Sequence, residues 1–329
     1  MIIENVSFPS GQHCETTAFG ALLRHEGVEM SEPMLFGLGE GLGFVYWDAR
    51  NMAFPFLGGR VKPFALTRTA SDRLGLTLHV QETASPRKAW QHVTSALAAG
   101  RPVGLQLDSY HLEYFTAKVH FGGRFVAMYG YDDTHAHLVD TAQQGGAVTT
   151  SLTSLGQARS ERGPMTARNL SYTLACPAGL PDLGHAIRNA IANNAHAFLN
   201  PPITNLGHRG IGKAARQVTL WLDRSEDPSR DLPLAATLME RGGTGGALFR
   251  ALYRDFLAEA TAIADDDNLA HGHRLYAEIA PLWTEVAHHI TVAGETGDAD
   301  HLARASAILT ELADAERHAM QVLSRVRTG

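Results

Sequence analysis

A cysteine where a polar loop meets a helix is the first residue of this chain placed to do chemistry. Cys14 lies in the polar run 10–17, and the residues after it have helical spacing, with Phe19, Leu22 and Leu23 at i, i+3 and i+4. This pattern predicts that Cys14 lies at or beside a helix N-terminus. Amide N–H groups and the helix dipole favour a thiolate there and can stabilise an oxyanion. We therefore expect Cys14 to be a nucleophile.

The chain contains only one other cysteine, Cys176, which lies between apolar residues and a proline. That context predicts a small buried side chain without chemistry. The first residues lack the basic start and apolar core of a signal peptide, so we expect a cytoplasmic protein with both thiols reduced.

A cysteine nucleophile needs a histidine base and a group that orients it, and these partners are usually remote in sequence. His120 precedes a predicted buried strand at 125–129, and Asp140 ends the strand that returns after a turn at 130–134. A hairpin would bring these two ends together. Spacing alone slightly favours a simpler interpretation, a loop histidine and a turn-forming aspartate.

Other motifs are weaker. Residues 207–214 have the G-x-x-x-x-G-K spacing of a phosphate-binding loop, but Ala214 replaces the Ser or Thr that would bind magnesium, and Asn-Pro-Pro precedes the run instead of a strand. Three histidine pairs have no cysteine or carboxylate at ligand spacing, which favours solvated histidines over a metal site. They are His135 and His137, His271 and His273, and His288 and His289.

The glycine-rich run 35–47 fits no dinucleotide fingerprint. It predicts a tight loop after a short helical turn that begins near residues 31–33. The aromatic residues of this loop, Phe44, Tyr46 and Trp47, are expected to pack on the core, with contact to a substrate as the alternative.

Composition and patterning predict two domains. The chain has 329 residues, 44% of them hydrophobic, and a net charge of −6 without a basic run, so neither nucleic acid nor a membrane is an expected partner. Residues 1–178 combine an opening helix with a mostly antiparallel sheet and further helices, an α+β domain. Residues 179–329 contain six predicted helices, which form a scaffold or an interface and favour a homodimer.

Several runs of this sequence resemble the butirosin biosynthesis protein H family. In the first half they are residues 13–18, 35–44, 120–123 and 130–133, with Asp140. In the second half they are residues 243–246, 249–250, Tyr253 and 256–260. The resemblance covers nearly the whole chain, and the two glycine-rich runs are its most specific parts. It implies an N-terminal domain similar to papain-like peptidases, especially those that process bacteriocin leaders, and a helical C-terminal domain.

The resemblance also implies that Cys14 is the nucleophile and Asp140 the orienting carboxylate. In papain-like relatives the base usually begins the buried strand, about six residues before the glycine matching Gly130. Arg124 occupies that position, and a guanidinium that stays protonated cannot act as a base, although it can bind a carboxylate or phosphate. We assign the base to His120. A base from His13 or His111, or a broken triad, are the alternatives.

The glutamine that assists the oxyanion hole of papain-like enzymes corresponds to Phe8 here. Gln12 is nearer to the nucleophile, but the backbone N–H of Cys14 is the better candidate donor. The remaining substrate candidates are Phe44, Tyr46, Trp47, Arg124 and Tyr129.

The family's founding member is an acyltransferase that moves an acyl chain from the phosphopantetheine thioester of an acyl carrier protein to an amine. The resemblance thus implies an acyltransferase of natural-product biosynthesis that acts through a Cys14 acyl-enzyme on an amine or alcohol. It needs no cofactor of its own, and its partners are the carrier protein and a small or tethered acceptor. Because an acidic carrier protein needs a basic surface, Arg209, Lys213 and Arg216 are candidate contacts. The alternatives are a thioester-releasing cyclase, a hydrolase or peptidase, or a non-catalytic binding protein on the same scaffold.

Overall fold

The computed structural model describes residues 1–4, 11–49, 52 and 54–328. They form two compact units, Met1–Leu35 with Pro63–Pro181 and Phe36–Lys62 with Asp182–Gly329. The expected boundary after residue 178 lies close to Pro181. The segment Phe36–Lys62 differs from expectation, because its strands pack in the second unit rather than the first.

The described part of the first unit contains most of the helices and strands predicted for it. Its helices are α1 (Cys14–His25), α2 (Glu32–Leu38, which continues into the second unit), α3 (Ala65–Arg73), α4 (Pro86–Ala98) and α5 (Leu152–Ser160). Its strands, numbered after the two strands of the second unit, are β3 (Thr77–Gln81), β4 (Val103–Leu107), β5 (Arg124–Tyr131), β6 (His135–Val139), β7 (Ala147–Ser151) and β8 (Ser171–Ala175).

These six strands form one antiparallel sheet in the order β3-β8-β4-β5-β6-β7. On one face of the sheet, Val126 and Met128 of β5 pack in the core that includes residues of α4 and α5. On the other face, Phe125 stacks on Phe64 at the start of α3. Helix α1 packs against β5. The alternation of apolar residues therefore places helices on both faces of the sheet, and the predicted α+β class is confirmed.

Serine caps start two helices of this unit where the sequence predicts them. Ser85 accepts a hydrogen bond from the Lys88 N–H, and Ser151 from the Ser154 N–H. Two buried carboxylate contacts were not predicted. Glu15 of α1 accepts from the backbone N–H groups of Phe64 and Thr67, at 3.2 and 3.1 Å, and so caps α3.

The described part of the second unit combines a small hairpin with a helical bundle. Its strands are β1 (Leu42–Trp47) and β2 (Phe56–Arg60), which pair antiparallel. Its helices are α6 (Leu183–Leu199), α7 (Gly207–Val218), α8 (Trp221–Arg224), α9 (Pro228–Arg241), α10 (Arg250–Ile263), α11 (Asp267–Thr296) and α12 (Ala299–Leu323). None of the helices in the described residues has both the length and the apolar character needed to cross a membrane.

The glycine-rich run is not the predicted loop, since it forms the end of α2 and then β1. At Gly37 an added Cβ would lie 2.2 Å from the Phe256 ring, so glycine is needed for close packing rather than for a turn. Leu42, Phe44 and Tyr46 are buried with the alternation of a strand. This period of two was the signal for β1.

A buried ion pair lies in the core of the second unit. Arg250 and Glu316 are both fully buried, and Arg250 donates to the two carboxylate oxygens of Glu316 at 2.8 and 2.9 Å. The Trp283 indole N–H donates to the same carboxylate at 2.6 Å. The guanidinium of Arg250 lies over the Trp283 ring, 4.6 Å from its centroid. This cluster links α10, α11 and α12.

Candidate active site

Cys14 is the first residue of α1, as predicted, and its side chain is 5% exposed. His13 precedes it in extended backbone conformation as the N-cap residue. The Cys14 Sγ lies 4.0 Å from the carbonyl oxygen of Gly123, which directly precedes β5. The thiol is therefore buried next to the start of the central strand.

The Glu32 carboxylate accepts hydrogen bonds from the backbone N–H groups immediately before Cys14. It accepts hydrogen bonds from the Gln12 and His13 N–H groups, each at 2.8 Å, and from the Thr16 hydroxyl at 2.8 Å. The side chain of Gln12 is exposed. These two amides are thus engaged by a carboxylate and do not serve an oxyanion in this arrangement. Phe8, the position matching the papain-like glutamine, lies outside the described residues.

Arg124 and Asp140 form a buried ion pair near Cys14. Asp140 is fully buried and Arg124 is 8% exposed. One guanidinium nitrogen of Arg124, Nη2, contacts Asp140 Oδ1, while Nε donates to Oδ2 at 3.3 Å. Nη2 also donates to the Thr141 hydroxyl at 3.1 Å. This is a two-point guanidinium–carboxylate contact, the geometry in which such pairs are strongest.

The register of the hairpin explains this pair. Ala127 of β5 faces Val139 of β6, so Asp140 follows opposite Val126. Arg124 lies two residues before Val126 on β5, so its side chain points to the same face of the sheet as that of Asp140. The two residues are therefore diagonal neighbours. The predicted hairpin is therefore confirmed, and its register places the Asp140 side chain diagonal to that of Arg124, the first residue of β5.

Two further contacts fix the Asp140 carboxylate. The Tyr114 hydroxyl donates to Oδ2 at 2.9 Å and the Thr141 N–H to Oδ1 at 2.6 Å. Burial and the nearby Asp140 charge raise the pKa of Tyr114 well above its ordinary value, so its phenol stays a donor. The Ala142 N–H donates to the Gly11 carbonyl at 2.8 Å, which connects the segment after β6 to the loop before α1.

Cys14 and Arg124 interact electrostatically. Burial acts to lower the pKa of Arg124, but the negative charges of Cys14 and Asp140 act in the opposite direction, and the pKa is raised. The attraction is mutual, so the guanidinium favours the thiolate form of Cys14. The charged group beside Cys14 is thus a guanidinium, which stays protonated.

His120 does not orient toward Asp140. Its ring stacks on Tyr110 with centroids 4.0 Å apart, and its Nδ1 lies 3.4 Å from Asp108 Oδ1. Its side chain is 58% exposed. Among the described residues, the hydrogen bonds to the Asp140 carboxylate come from Arg124, Tyr114 and Thr141, so Arg124 takes the place expected for His120.

The two alternative histidine bases also have other partners. His111 Nε2 lies 2.5 Å from Glu161 Oε2. His13 is buried, and its Nδ1 lies 3.2 Å from the Thr16 hydroxyl oxygen. Neither of these imidazoles contacts the Asp140 carboxylate.

The loop before Arg124 is fixed by close backbone contacts. The buried Gln106 side chain donates to the carbonyl oxygens of Gly122 at 3.0 Å and Met165 at 2.7 Å. A Cβ on Gly122 would lie 2.4 Å from the Thr166 methyl carbon, so glycine is required there. Gly122 therefore allows the close packing on Thr166. The carbonyl of Gly123 faces the Cys14 thiol.

The remaining substrate candidates belong to the second unit or to the middle of β5. Phe44 and Tyr46 are buried in the core of the second unit, where Phe44 packs on Trp283 and burial raises the pKa of Tyr46 to about 12. Trp47 is half exposed. Tyr129 is five residues beyond Arg124 on β5, roughly 16 Å along the strand, and its ring is 5.9 Å from His137.

The other motifs show ordinary structural roles. Residues 207–218 form helix α7 and no phosphate loop, and His208 lies near the Phe198 carbonyl. Within the described residues, the three predicted histidine pairs belong to no cluster of three close metal-ligand side chains. Both cysteines are free thiols, and Cys176 is half-buried rather than buried.

The fold and site define an α+β domain with a buried cysteine at a helix start, followed in sequence by a helical region. Two family models match the chain. Butirosin biosynthesis protein H, N-terminal, matches residues 13–141, which include Cys14, Arg124 and Asp140, and Domain of unknown function (DUF4872) matches residues 153–323. The chain belongs to this butirosin biosynthesis protein H-like family. No curated protein matches the sequence.

Three parts of the site had no sequence prediction: Tyr114, Glu32 as an acceptor at α1, and the Gly11–Ala142 hydrogen bond. Tyr114 lies in an irregular loop with no periodic signal. Glu32 was recognisable only as the start of a helix. Each of these contacts depends on segments that are remote in sequence.

Proposed function

We propose that this protein is an acyltransferase that uses Cys14 to transfer an acyl group from a carrier-protein thioester to an amine. The first unit has a papain-like arrangement in this proposal, with Cys14 as nucleophile. The observation that supports it most is the buried Arg124–Asp140 pair beside Cys14. Membership in a family named for an antibiotic biosynthesis protein supports a role in natural-product biosynthesis.

The arginine limits which acyl chemistry the site can perform. Hydrolysis of an amide needs a group that protonates the leaving amine, a role that imidazole fulfils in papain-like peptidases. A guanidinium does not give up its proton. A thiol has a pKa near 8.5, so a thioester can expel its thiolate without a proton donor. Arg124 therefore favours thioester chemistry over peptide hydrolysis.

The first step is a thioester exchange. The Cys14 thiolate attacks the carbonyl carbon of the donor thioester, the carbon–sulfur bond to phosphopantetheine breaks, and the released thiolate takes a proton from water. Arg124 stabilises the Cys14 thiolate before the attack. Asp140 and Tyr114 fix the position of the guanidinium.

The second step forms the amide. The neutral amine of the acceptor attacks the acyl-Cys14 carbonyl, the bond to Cys14 Sγ breaks, and the nitrogen loses one proton to water. The Cys14 thiolate is regenerated, and its stabilisation by Arg124 makes it a better leaving group. Phosphopantetheine arrives on the carrier protein, so the enzyme needs no cofactor of its own.

A carrier protein of acidic surface needs a basic contact. Arg209, Lys213 and Arg216 lie on one face of α7 at positions i, i+4 and i+7, and the two arginines are exposed. Lys213 donates to Asn205 Oδ1 at 2.9 Å. We assign this face of α7 to carrier docking.

The test is the intact mass of the protein after mixing with acetyl-, butanoyl- and glycyl-pantetheine. We expect one acyl group on the wild-type protein and on Cys176→Ser, and none on Cys14→Ser. Addition of ethanolamine should then remove the acyl group and release the corresponding amide. Equal labelling of wild type and Cys14→Ser by every thioester would show that the proposal is wrong.

A second candidate function follows from the same arginine. A non-catalytic binding protein would use the Arg124 position to bind a carboxylate or phosphate, with Cys14 as a passive neighbour. This candidate predicts no acyl-Cys14 with any thioester. The mass measurement therefore separates the two functions.

A further inference from the structure

Three side chains with metal-binding atoms meet on the surface of the first unit, and none of them is among the hydrogen-bond partners of the Asp140 carboxylate. One ligand atom each from His111, His120 and Glu161 lies within 4.8 Å of the other two. His111 belongs to the 3-10 turn after β4, His120 to the loop before β5, and Glu161 directly follows α5. Two parts of the β4–β5 connection and the end of α5 therefore converge on one point.

We propose that His111, His120 and Glu161 form a zinc site. Two imidazoles and one carboxylate, with water as the fourth ligand, are a common ligand set for tetrahedral Zn²⁺. The side chains of His111 and Glu161 are 19% and 28% exposed, and that of His120 is 58% exposed. The cluster is thus partly shielded, yet an ion can enter from the side of His120.

The environment of His120 is that of a metal-binding histidine. Its Nδ1 lies 3.4 Å from Oδ1 of Asp108, which is 3% exposed. The Asp108 carboxylate lies at ion-pair distance on the Nδ1 side of the ring, which leaves Nε2 as the nitrogen available to a metal. Asp108 is itself fixed, since its Oδ1 accepts from the Tyr110 N–H at 2.8 Å. We therefore assign Nε2 of His120 as its ligand atom.

Stacking supports this orientation. The His120 ring lies on the Tyr110 ring, 9° from parallel, and the His111 and His120 ring centroids are 6.0 Å apart. A solvated loop histidine has no need of a buried carboxylate and an aromatic partner at once. In this position a ligand atom of His120 lies within 4.8 Å of those of His111 and Glu161.

Small movements would complete the site. Zinc–ligand bonds of 2.0–2.1 Å in a tetrahedron place ligand atoms about 3.3 Å apart. His111 Nε2 and Glu161 Oε2 are 2.5 Å apart and would separate by less than about 1 Å. The largest spacing in the cluster would shrink by up to about 1.5 Å, within the reach of the exposed His120 side chain.

A bound zinc ion would join the loop before Arg124 to the end of α5. Glu161 and His111 already form one contact across this gap. His120 is four residues before Arg124, so the ion would anchor the approach to the strand that presents the arginine. The proposal does not depend on acyl transfer, because zinc binding is measured without any thioester.

The experiment titrates the metal-free full-length protein with Zn²⁺ against a chromophoric chelator, and with Co²⁺ for its visible absorption. We expect one ion per chain and an intense tetrahedral Co²⁺ spectrum. His111→Gln/His120→Gln should abolish both. Asp108→Asn should lower the affinity by about 10- to 100-fold. The matched control is His135→Gln/His137→Gln, which removes another histidine pair from the same unit and should bind normally.

Circular dichroism of each variant checks that the fold is intact. His111→Gln alone and Glu161→Gln alone provide milder changes should the double variant unfold. Zinc bound with unchanged affinity by the variants that lack these ligands would overturn the proposal. So would a wild-type protein that binds neither ion.

Discussion

Arg124 and Asp140 are diagonal neighbours on the β5–β6 hairpin and form a buried two-point ion pair next to the thiol of Cys14. The aspartate thereby orients a guanidinium rather than an imidazole. This relationship changes the expected chemistry of a cysteine site, since the group beside the thiol can stabilise charge but cannot exchange a proton.

The first prediction concerns the ionisation of Cys14. Arg124 favours the thiolate, so the pH midpoint of iodoacetamide alkylation at Cys14 should lie below the ordinary 8.5 or so of a thiol. Arg124→Gln removes the positive charge and should raise the midpoint by about one unit or more. Peptide mass spectrometry measures both cysteines in one sample.

Cys176 is the internal control for this experiment. Burial raises the pKa of Cys176, so it should alkylate only at higher pH, and its profile should not respond to Arg124→Gln. A Cys14 midpoint equal to that of Cys176, or one unaffected by Arg124→Gln, would contradict the proposed role of the arginine.

The second prediction concerns stability. Arg124→Met leaves the Asp140 carboxylate buried without its cation, which should lower the free energy of unfolding by about 3–5 kcal/mol. Urea unfolding followed by circular dichroism measures the change. The control Arg168→Met removes an arginine whose side chain is 68% exposed and 4.0 Å from Glu82. Its free energy of unfolding should differ from that of the wild type by no more than about 0.5 kcal/mol. A similar small loss for both variants would contradict a buried charge pair.

The third prediction concerns the pH dependence of acylation. The wild-type rate with acetyl-pantetheine should rise with pH through a single ionisation, that of Cys14. Arg124→His places an imidazole beside Asp140 and should add a second ionisation near the histidine pKa of about 6.5. A wild-type profile that already contains such an ionisation, and loses it in His120→Gln or His13→Gln, would instead identify a histidine base.

The fourth prediction concerns the core of the second unit. Glu316→Gln keeps the shape of the side chain but leaves the Arg250 guanidinium buried without an anion, so we expect a loss of about 3–5 kcal/mol. The matched control is Asp314→Asn on the same helix, whose carboxylate is 74% exposed and pairs with Arg317. Thermal unfolding of both variants gives the comparison, and equal melting temperatures would contradict the prediction.

Local patterns in the sequence were sufficient for most of the secondary structure. The helical spacing after Cys14 predicted α1, and Ser85 and Ser151 were recognised as helix caps because a cap needs only neighbouring residues. The loop predicted for the glycine-rich run was wrong, although the alternation of β1 was a local signal, and the role of its first glycine depends on a distant contact. Gly37 is a glycine because the Phe256 ring packs against it, and sequence neighbours carry no sign of that contact.

The sequence by itself determined the α+β class, the helical second half and the position of Cys14 at a helix N-terminus, since each depends on periodicity and on residues close in the chain. Only the tertiary structure decided the partner of Asp140. A strand pairing can shift its register without any change in the local pattern, and this register, together with Tyr114 from a distant loop, placed Arg124 rather than His120 against the carboxylate.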